Sequence, residues 1–161
     1  MAGGGAIARP PITGACACGA VTYRAADRGF RPYACHCHGC QRRQGSAFAL
    51  NQQVLVEDLA VRGETVSGSV IGLHGAQVVH HACPHCLTRL YTVNQSRPHI
   101  ATIRTGTRDD SPALAPAFHV WTSRKQPWIV LAGDALCFET QPDAAEWMRL
   151  VLPEGIDGDP R

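Results

Sequence analysis

The sequence predicts a mainly β chain of short strands and turns, closed by one short C-terminal helix. Three observations predict it. Sixteen glycines and eleven prolines are spread along the whole chain, which favours many strands and turns over long helices. Apolar and polar residues alternate over short segments, the period of a half-buried strand. Helical period appears convincingly only near the C-terminus, where Ala144, Trp147, Met148 and Val151 recur at i, i+3, i+4 and i+7.

The length of 161 residues suits one domain, and 45% hydrophobic content supports a core. We assign a single domain to residues 12–152, a Gly/Ala-rich flexible tail to 1–11 and a loose tail to 153–161. The N-terminal stretch lacks both a basic n-region and an apolar h-region, and no apolar run approaches a membrane span of about 20 residues. The expectation is therefore a reducing, cytoplasmic location with no membrane partner, where clustered cysteines serve as metal ligands and not as disulfides. The net charge of +2 counts every cysteine as neutral. Seven thiolates subtract seven and two Zn²⁺ restore four, leaving a formal −1. The basic pI is thus no evidence for a nucleic-acid partner.

Residues 19–24 alternate, with Val21 and Tyr23 on one face, and leave directly from Cys18, so a strand should start there. A turn over 27–32 leads into the run Cys35-His36-Cys37-His38-Gly39-Cys40. Residues 41–44 suit one helical turn stopped by Gly45. Strands follow over 47–56, interrupted by Asn51-Gln52-Gln53, then over 59–62 and 66–73. Residues 77–82 enter the C-x-x-C knuckle Cys83-Pro84-His85-Cys86 and 90–93 leave it; 100–105 is a β-branched strand. A loop spans 106–116, a short strand with His119 spans 118–121, and a turn at 126–128 leads into 129–131. Pro142 suits the first position of the C-terminal helix, and Pro153 ends it.

The eight cysteines divide by spacing. Cys16 and Cys18 with Cys83 and Cys86 make a complete four-thiolate tetrahedron, the signature of a closed structural zinc. In an extended segment Cys35 and Cys37 point the same way, and a turn at Gly39 returns Cys40 beside them. Three thiolates leave one position on zinc for water or substrate, as in catalytic sites. The same alternation turns His36 and His38 away from that claw. Cys137 remains, read as a small buried hydrophobe, and Trp121 and Trp128 are read as core or pocket wall.

The ordered set C-x-C, G-A-V-x-Y, C-H-C-x-x-C-x-R-x-x-G-S, C-x-x-C, G-T-x-D-D, H-V-W and K-x-P-W resembles the glutathione-dependent formaldehyde-activating enzyme family, whose domain is shared with centromere protein V. The resemblance runs from Thr13 to Trp128. It implies a β-tent-like arrangement of several small antiparallel sheets around zinc sites. It also implies a structural zinc on Cys16, Cys18, Cys83 and Cys86, and a labile catalytic zinc on Cys35, Cys37 and Cys40. Two positions depart from the family pattern. Leu87 stands where a glycine is usual, in a turn where Leu tolerates positive φ poorly, and Asn51-Gln52-Gln53 is polar where many members carry a Trp.

The activity implied is that of a carbon–sulfur lyase. A thiol such as glutathione, as co-substrate, joins an aldehyde such as formaldehyde to give S-(hydroxymethyl)glutathione, or the adduct is cleaved. Arg42, Arg43 and Lys125 are candidates to offset the thiolate charge or to pair with glutathione carboxylates, against the alternative of ordinary surface charges. His119 is the candidate for proton transfer, against a structural histidine, and His80 and His81 are candidate donors to the knuckle sulfurs. Two other functions stay open: a non-enzymatic zinc module that binds a partner, and chemistry at the same zinc on a small glutathione-independent substrate. The chain is expected to act as a monomer or homodimer.

Overall fold

The computed structural model describes residues 9–72 and 74–152. Residues 1–8, 73 and 153–161 lie outside it, and with them most of the two expected tails and the end of the strand expected over 66–73.

Ten strands form two sheets. Ile12–Ala15 (β1), Thr22–Ala25 (β2) and Ala60–Arg62 (β5) make a three-stranded antiparallel sheet in the order β1-β2-β5. The larger sheet contains Tyr33–Cys35 (β3), Ala49–Leu55 (β4), Val66–Ile71 (β6), Gln77–Ala82 (β7), Arg89–Asn94 (β8), Ile100–Arg104 (β9) and Phe118–Val120 (β10). Its order is β10-β3-β4-β9-β8-β7-β6, antiparallel except where β10 runs parallel to β3. Among the described residues two α-helices, His38–Gln44 (α1) and Ala144–Val151 (α2), join these sheets, with short 3-10 turns between elements. None of the described helices is long and apolar enough to cross a membrane. The architecture is mainly β, with no barrel.

The core between the sheets collects Ile12 and Tyr23 from the small sheet, Val21 just before β2, and Val54, Leu90, Ala101 and Ile103 from the large sheet. Alternation produces this: Val21 and Tyr23 are buried while Thr22 and Arg24 are exposed. Gly14 is required here, because a Cβ on it would collide with the Tyr23 ring and the Thr107 carbonyl oxygen. The opposite face of the large sheet carries a second core at its β10–β3 end. Phe118 stacks on Tyr33 at 5.4 Å, and Trp147 of α2 meets both rings edge-on at 5.6 and 4.8 Å.

Several elements differ from the sequence reading, each for a local reason. The β1 strand was not anticipated; Gly14 and Gly19 obscure its pattern. Gly19 takes φ +77° in a turn, so β2 starts at Thr22 and the Cys16–Cys18 pair sits in a β1–β2 hairpin connection, not at a strand start. The β4 strand is not interrupted at Asn51-Gln52-Gln53. All three are buried, with Asn51 accepting from Arg104 and Gln52 accepting from Arg108 while donating to the Phe30 carbonyl. In α2 the N-cap is Asp143, whose Oδ1 accepts from the Glu146 N–H at 2.8 Å, so Pro142 precedes the helix instead of opening it. Leu150 joins Trp147 and Val151 on the buried face, whereas Ala144 is exposed. Trp128 is 73% exposed and Cys137 is also exposed, so neither belongs to the core.

Phe118 contacts Tyr33, Trp147 and Phe138 at once. Phe118→Ala should destabilise the metal-replete protein by about 3–5 kcal/mol, read as a fall in the urea midpoint.

Candidate metal centres and the adjoining cleft

Two cysteine clusters form, each with its sulfurs within 4.8 Å of one another: Cys16, Cys18, Cys83 and Cys86, and Cys35, Cys37 and Cys40. In the first, Cys16 and Cys18 come from the β1–β2 connection, and Cys83 and Cys86 from the turn between β7 and β8. The Cys16–Cys18 and Cys18–Cys83 sulfur separations are 3.5 and 3.7 Å. A zinc tetrahedron with arms of about 2.3 Å has edges of about 3.8 Å, so the donor set fits zinc. Backbone and side-chain donors brace it. The Val21 N–H reaches Cys16 Sγ at 3.2 Å. The Thr88 hydroxyl lies 3.1 Å from Cys86 Sγ and accepts from the Ala17 N–H, tying the two loops together. The bonds from Thr88 draw the Cys86 thiol down to about 5.

The knuckle turn forces Leu87 to φ 58° with 70% of its surface exposed. A left-handed non-glycine residue costs roughly 1–2 kcal/mol. His80 and His81 do not serve the knuckle: among the described residues neither bonds a sulfur. His81 stacks on Tyr91 at 4.3 Å, and His80 takes the opposite face of the sheet.

In the second cluster the geometry differs from a simple claw. Cys35 ends β3. Cys37 is the N-cap of α1, its Sγ accepting from the Cys40 N–H at 3.3 Å. The first helical turn, not a reversal at Gly39, brings Cys40 back beside Cys37. The helix therefore begins at His38, earlier than the turn expected over 41–44, and ends as expected with Gly45 in the left-handed conformation. A side chain on Gly39 would collide with the Arg43 guanidinium, 2.9 Å away. His38 is exposed. His36 is fully buried on the far side, its Nε2 3.0 Å from His119 Nδ1.

Among the described residues no fourth ligand joins this set. Without a cation the sulfurs compete for one charge. The Cys35 and Cys40 thiols donate to Cys37 and draw it down to about 2, while Cys35 is pushed well above the ordinary thiol range by the same contacts and by burial. A divalent cation removes that conflict, and three soft donors in reach of one point suit zinc with one position left open.

The three cysteines line a cleft of about 420 Å³. Alternate residues of the large sheet form its floor, with Tyr33, Asn51 and Arg104 in one cross-strand row and Thr102, Thr92 and His80 in the next. Trp121 and Trp147 wall the end near the cysteines.

Of the predicted site residues, the structure brings Arg43 to the cluster, its Nη2 3.9 Å from Cys40 Sγ. It does not bring Arg42, His119 or Lys125 to the cleft lining. Arg42 is exposed on α1. The Lys125 amine is tied to the carbonyls of Gln126 and Ile129 at 3.2 and 2.5 Å. His119 pairs with Ala34 across β10–β3, whereas Val120 pairs with Cys35. Its side chain therefore takes the other face of the sheet, and burial holds its ring, like that of His36, below the ordinary histidine range. Sequence reasoning placed His80 beside the knuckle and Asn51 in a break of β4, and did not single out Arg89 or Arg104. One signal pointed to Arg104, an arginine inside the β-branched run 100–105, and the polar triplet in β4 pointed to Asn51.

Metal analysis should find about two zinc ions per chain in protein purified without chelator. Cys83→Ser should lower metal content and loosen the junction between the sheets, because structural zinc contributes directly to folding free energy. Cys37→Ser should lose one zinc and keep the fold. Leu87→Gly should raise the stability of metal-replete protein by about 1 kcal/mol, measured by urea titration, as relief of the strained φ outweighs the added backbone entropy.

Residues 11–124 match the family described as glutathione-dependent formaldehyde-activating enzyme. A crystal structure of a Rhodobacter sphaeroides protein is similar at 25% sequence identity with a TM-score of 0.49, over 61% of this chain and 88% of that one. No functionally curated protein matches the chain.

Proposed function

Because the chain belongs to the glutathione-dependent formaldehyde-activating enzyme family, we propose that it is a zinc-dependent carbon–sulfur lyase that forms or cleaves a glutathione–aldehyde adduct such as S-(hydroxymethyl)glutathione. The observation that carries this reading is the three-cysteine set, with no fourth ligand among the described residues, opening onto a cleft of substrate size. We assign a structural zinc to Cys16, Cys18, Cys83 and Cys86, and a catalytic zinc to Cys35, Cys37 and Cys40. Zinc at the second set supplies a coordination position at which a substrate thiol ionises near neutral pH.

In the forward direction the thiol sulfur bonds to the aldehyde carbon and the carbonyl π pair moves to oxygen. That oxygen takes up one proton, matching the one the thiol loses. Arg43, beside Cys40, offsets the negative charge of the sulfurs. Trp121 and Trp147 keep bulk water from one side of the cleft. His119 pairs with His36 beneath the cysteine segment and acts as a brace for it, not as the proton donor. All eight cysteines are free thiols, which suits metal ligation in a reducing compartment such as the cytoplasm. The cleft beside the open set supports an enzyme over a non-enzymatic zinc module, which needs no such cavity.

Calorimetry on zinc-loaded protein tests the reading, with zinc measured before and after. Glutathione should bind far more tightly than S-methylglutathione, which keeps the peptide and lacks the thiol proton. Affinity should rise with pH until the free thiol ionises, near about 8.5. Equal affinity of the two with zinc retained, or no turnover of S-(hydroxymethyl)glutathione, would overturn it.

A further inference from the structure

Three arginines converge beside the open cysteine set without an acid to meet them. Arg104 is only 8% exposed, and its Nε has no partner among the described residues. Arg43 Nε and Arg89 Nη1 are likewise buried and unpartnered. The two ion pairs among the described residues, Arg28–Asp58 and Arg108–Asp110, lie elsewhere. No Asp or Glu lines the cleft or either of the adjoining cavities that Arg43, Arg89 and Arg104 share.

The fold builds this cluster deliberately. Arg104 is set by its register opposite Asn51, whose Oδ1 accepts from its Nη1. A β-bulge between His81 and Ala82 sets Ala82 opposite Arg89 and leaves Leu90 as the extra residue. Leu90 then enters the core while Arg89 turns to the side of His80 and Arg43. His80 adds two unpartnered ring nitrogens. It adds no charge near neutral pH, because burial and then the neighbouring arginines hold it down at about 4.

The cysteines alone do not account for the arginines. Zinc on three thiolates carries a formal −1, and a substrate thiolate makes it −2, so three guanidiniums leave one positive charge over. Buried charges without partners are strongly disfavoured, and guanidinium matches a carboxylate in a two-pronged geometry.

We propose that Arg104 and Arg43, backed by Arg89, form a carboxylate subsite at the floor of the cleft, which favours thiols with a carboxylate a few bonds from the sulfur over otherwise equal neutral thiols. The proposal rests on the lyase reading for the position of the sulfur, but the subsite can be tested separately. Arg43 is 3.9 Å from Cys40 Sγ. A carboxylate held on it at about 2.8 Å stays within reach of a short thiol acid whose sulfur lies beside the cysteines.

The test is calorimetry on zinc-loaded protein at about 0.15 M salt, where long-range attraction is screened. The probes are 3-mercaptopropionate, 3-mercaptopropionamide and propionate. The acid should bind about ten-fold or more tightly than the amide, the effect of one charge-assisted bond. That ratio should fall to about one in Arg104→Gln and shrink in Arg43→Gln, which leaves the β4–β9 pairing intact should the buried variant fail to fold. Equal affinity of acid and amide for the wild type, or a ratio unchanged in the Arg43 variant, overturns the subsite while leaving the lyase reading standing. Binding of propionate but of neither thiol as a sulfur ligand, lost in Arg104→Gln, supports the subsite and removes the lyase reading. Binding of none of the three overturns both.

Discussion

Four sulfurs from two distant loops must meet at one point, and the architecture depends on that junction. Cys18 and Cys83 are 65 positions apart, yet their sulfurs are 3.7 Å apart. Through them the β1–β2 connection is fixed to the turn between β7 and β8, so the small sheet is held over one face of the large one. Cys16 and Cys83 are themselves part of the core between the sheets. The four-cysteine junction and apolar burial therefore share one seam, so a cation held there would couple its binding to the packing between the sheets. Thr88 spans the same two loops by hydrogen bonds, which explains why the turn carries Leu87 in a strained conformation instead of relaxing.

With one face covered by the small sheet, the other face of the large sheet is left to do chemistry, and it is divided. At the β10–β3 end α2 buries Phe118, Tyr33 and Trp147 in a dry aromatic cluster. Further along the same face, across β4, β9, β8 and β7, the residues are polar or cationic and open to the cleft. Cys35 and the N-terminal turn of α1 lie at the boundary between these halves. Sulfur ligands there have apolar walls on one side, which strengthens electrostatic interactions, and arginine on the other, which tolerates accumulating negative charge.

Much of this was legible in the residues. Cysteine spacing grouped seven ligands into four and three, because a metal site demands donors at fixed short distances, and such a demand survives any detail of the intervening chain. Alternation located the buried side of β2, and the β-branched run located β9. What escaped was set by partners remote in sequence. Asn51 and Gln52 read as a break in β4, since a polar triplet inside a strand looks unfavourable until Arg104 and Arg108 arrive 53 and 56 positions later to satisfy them. The face taken by His119 depends on its parallel register with β3, which no local pattern carries. Trp121 and Arg43 were singled out, but the cleft residues supplied by β8 and β9 were hidden for the same reason. Arg89, in the adjoining cavity, escaped most of all, because a bulge reverses the side that simple alternation would give it.

The two cysteine clusters differ in exposure as well as in their number of sulfurs. In the four-cysteine set Cys18 is exposed and Cys86 half-buried, whereas Cys35, Cys37 and Cys40 are all buried. The more accessible set nonetheless offers four sulfurs, the number that completes a zinc tetrahedron. The buried set has one ligand fewer. What makes it addressable is the cleft that its three cysteines line, whose floor is the large sheet. The helical turn that returns Cys40 to Cys37 fixes how many sulfurs meet at that point. The guanidiniums of Arg43 and Arg104 give the adjoining cleft its positive character.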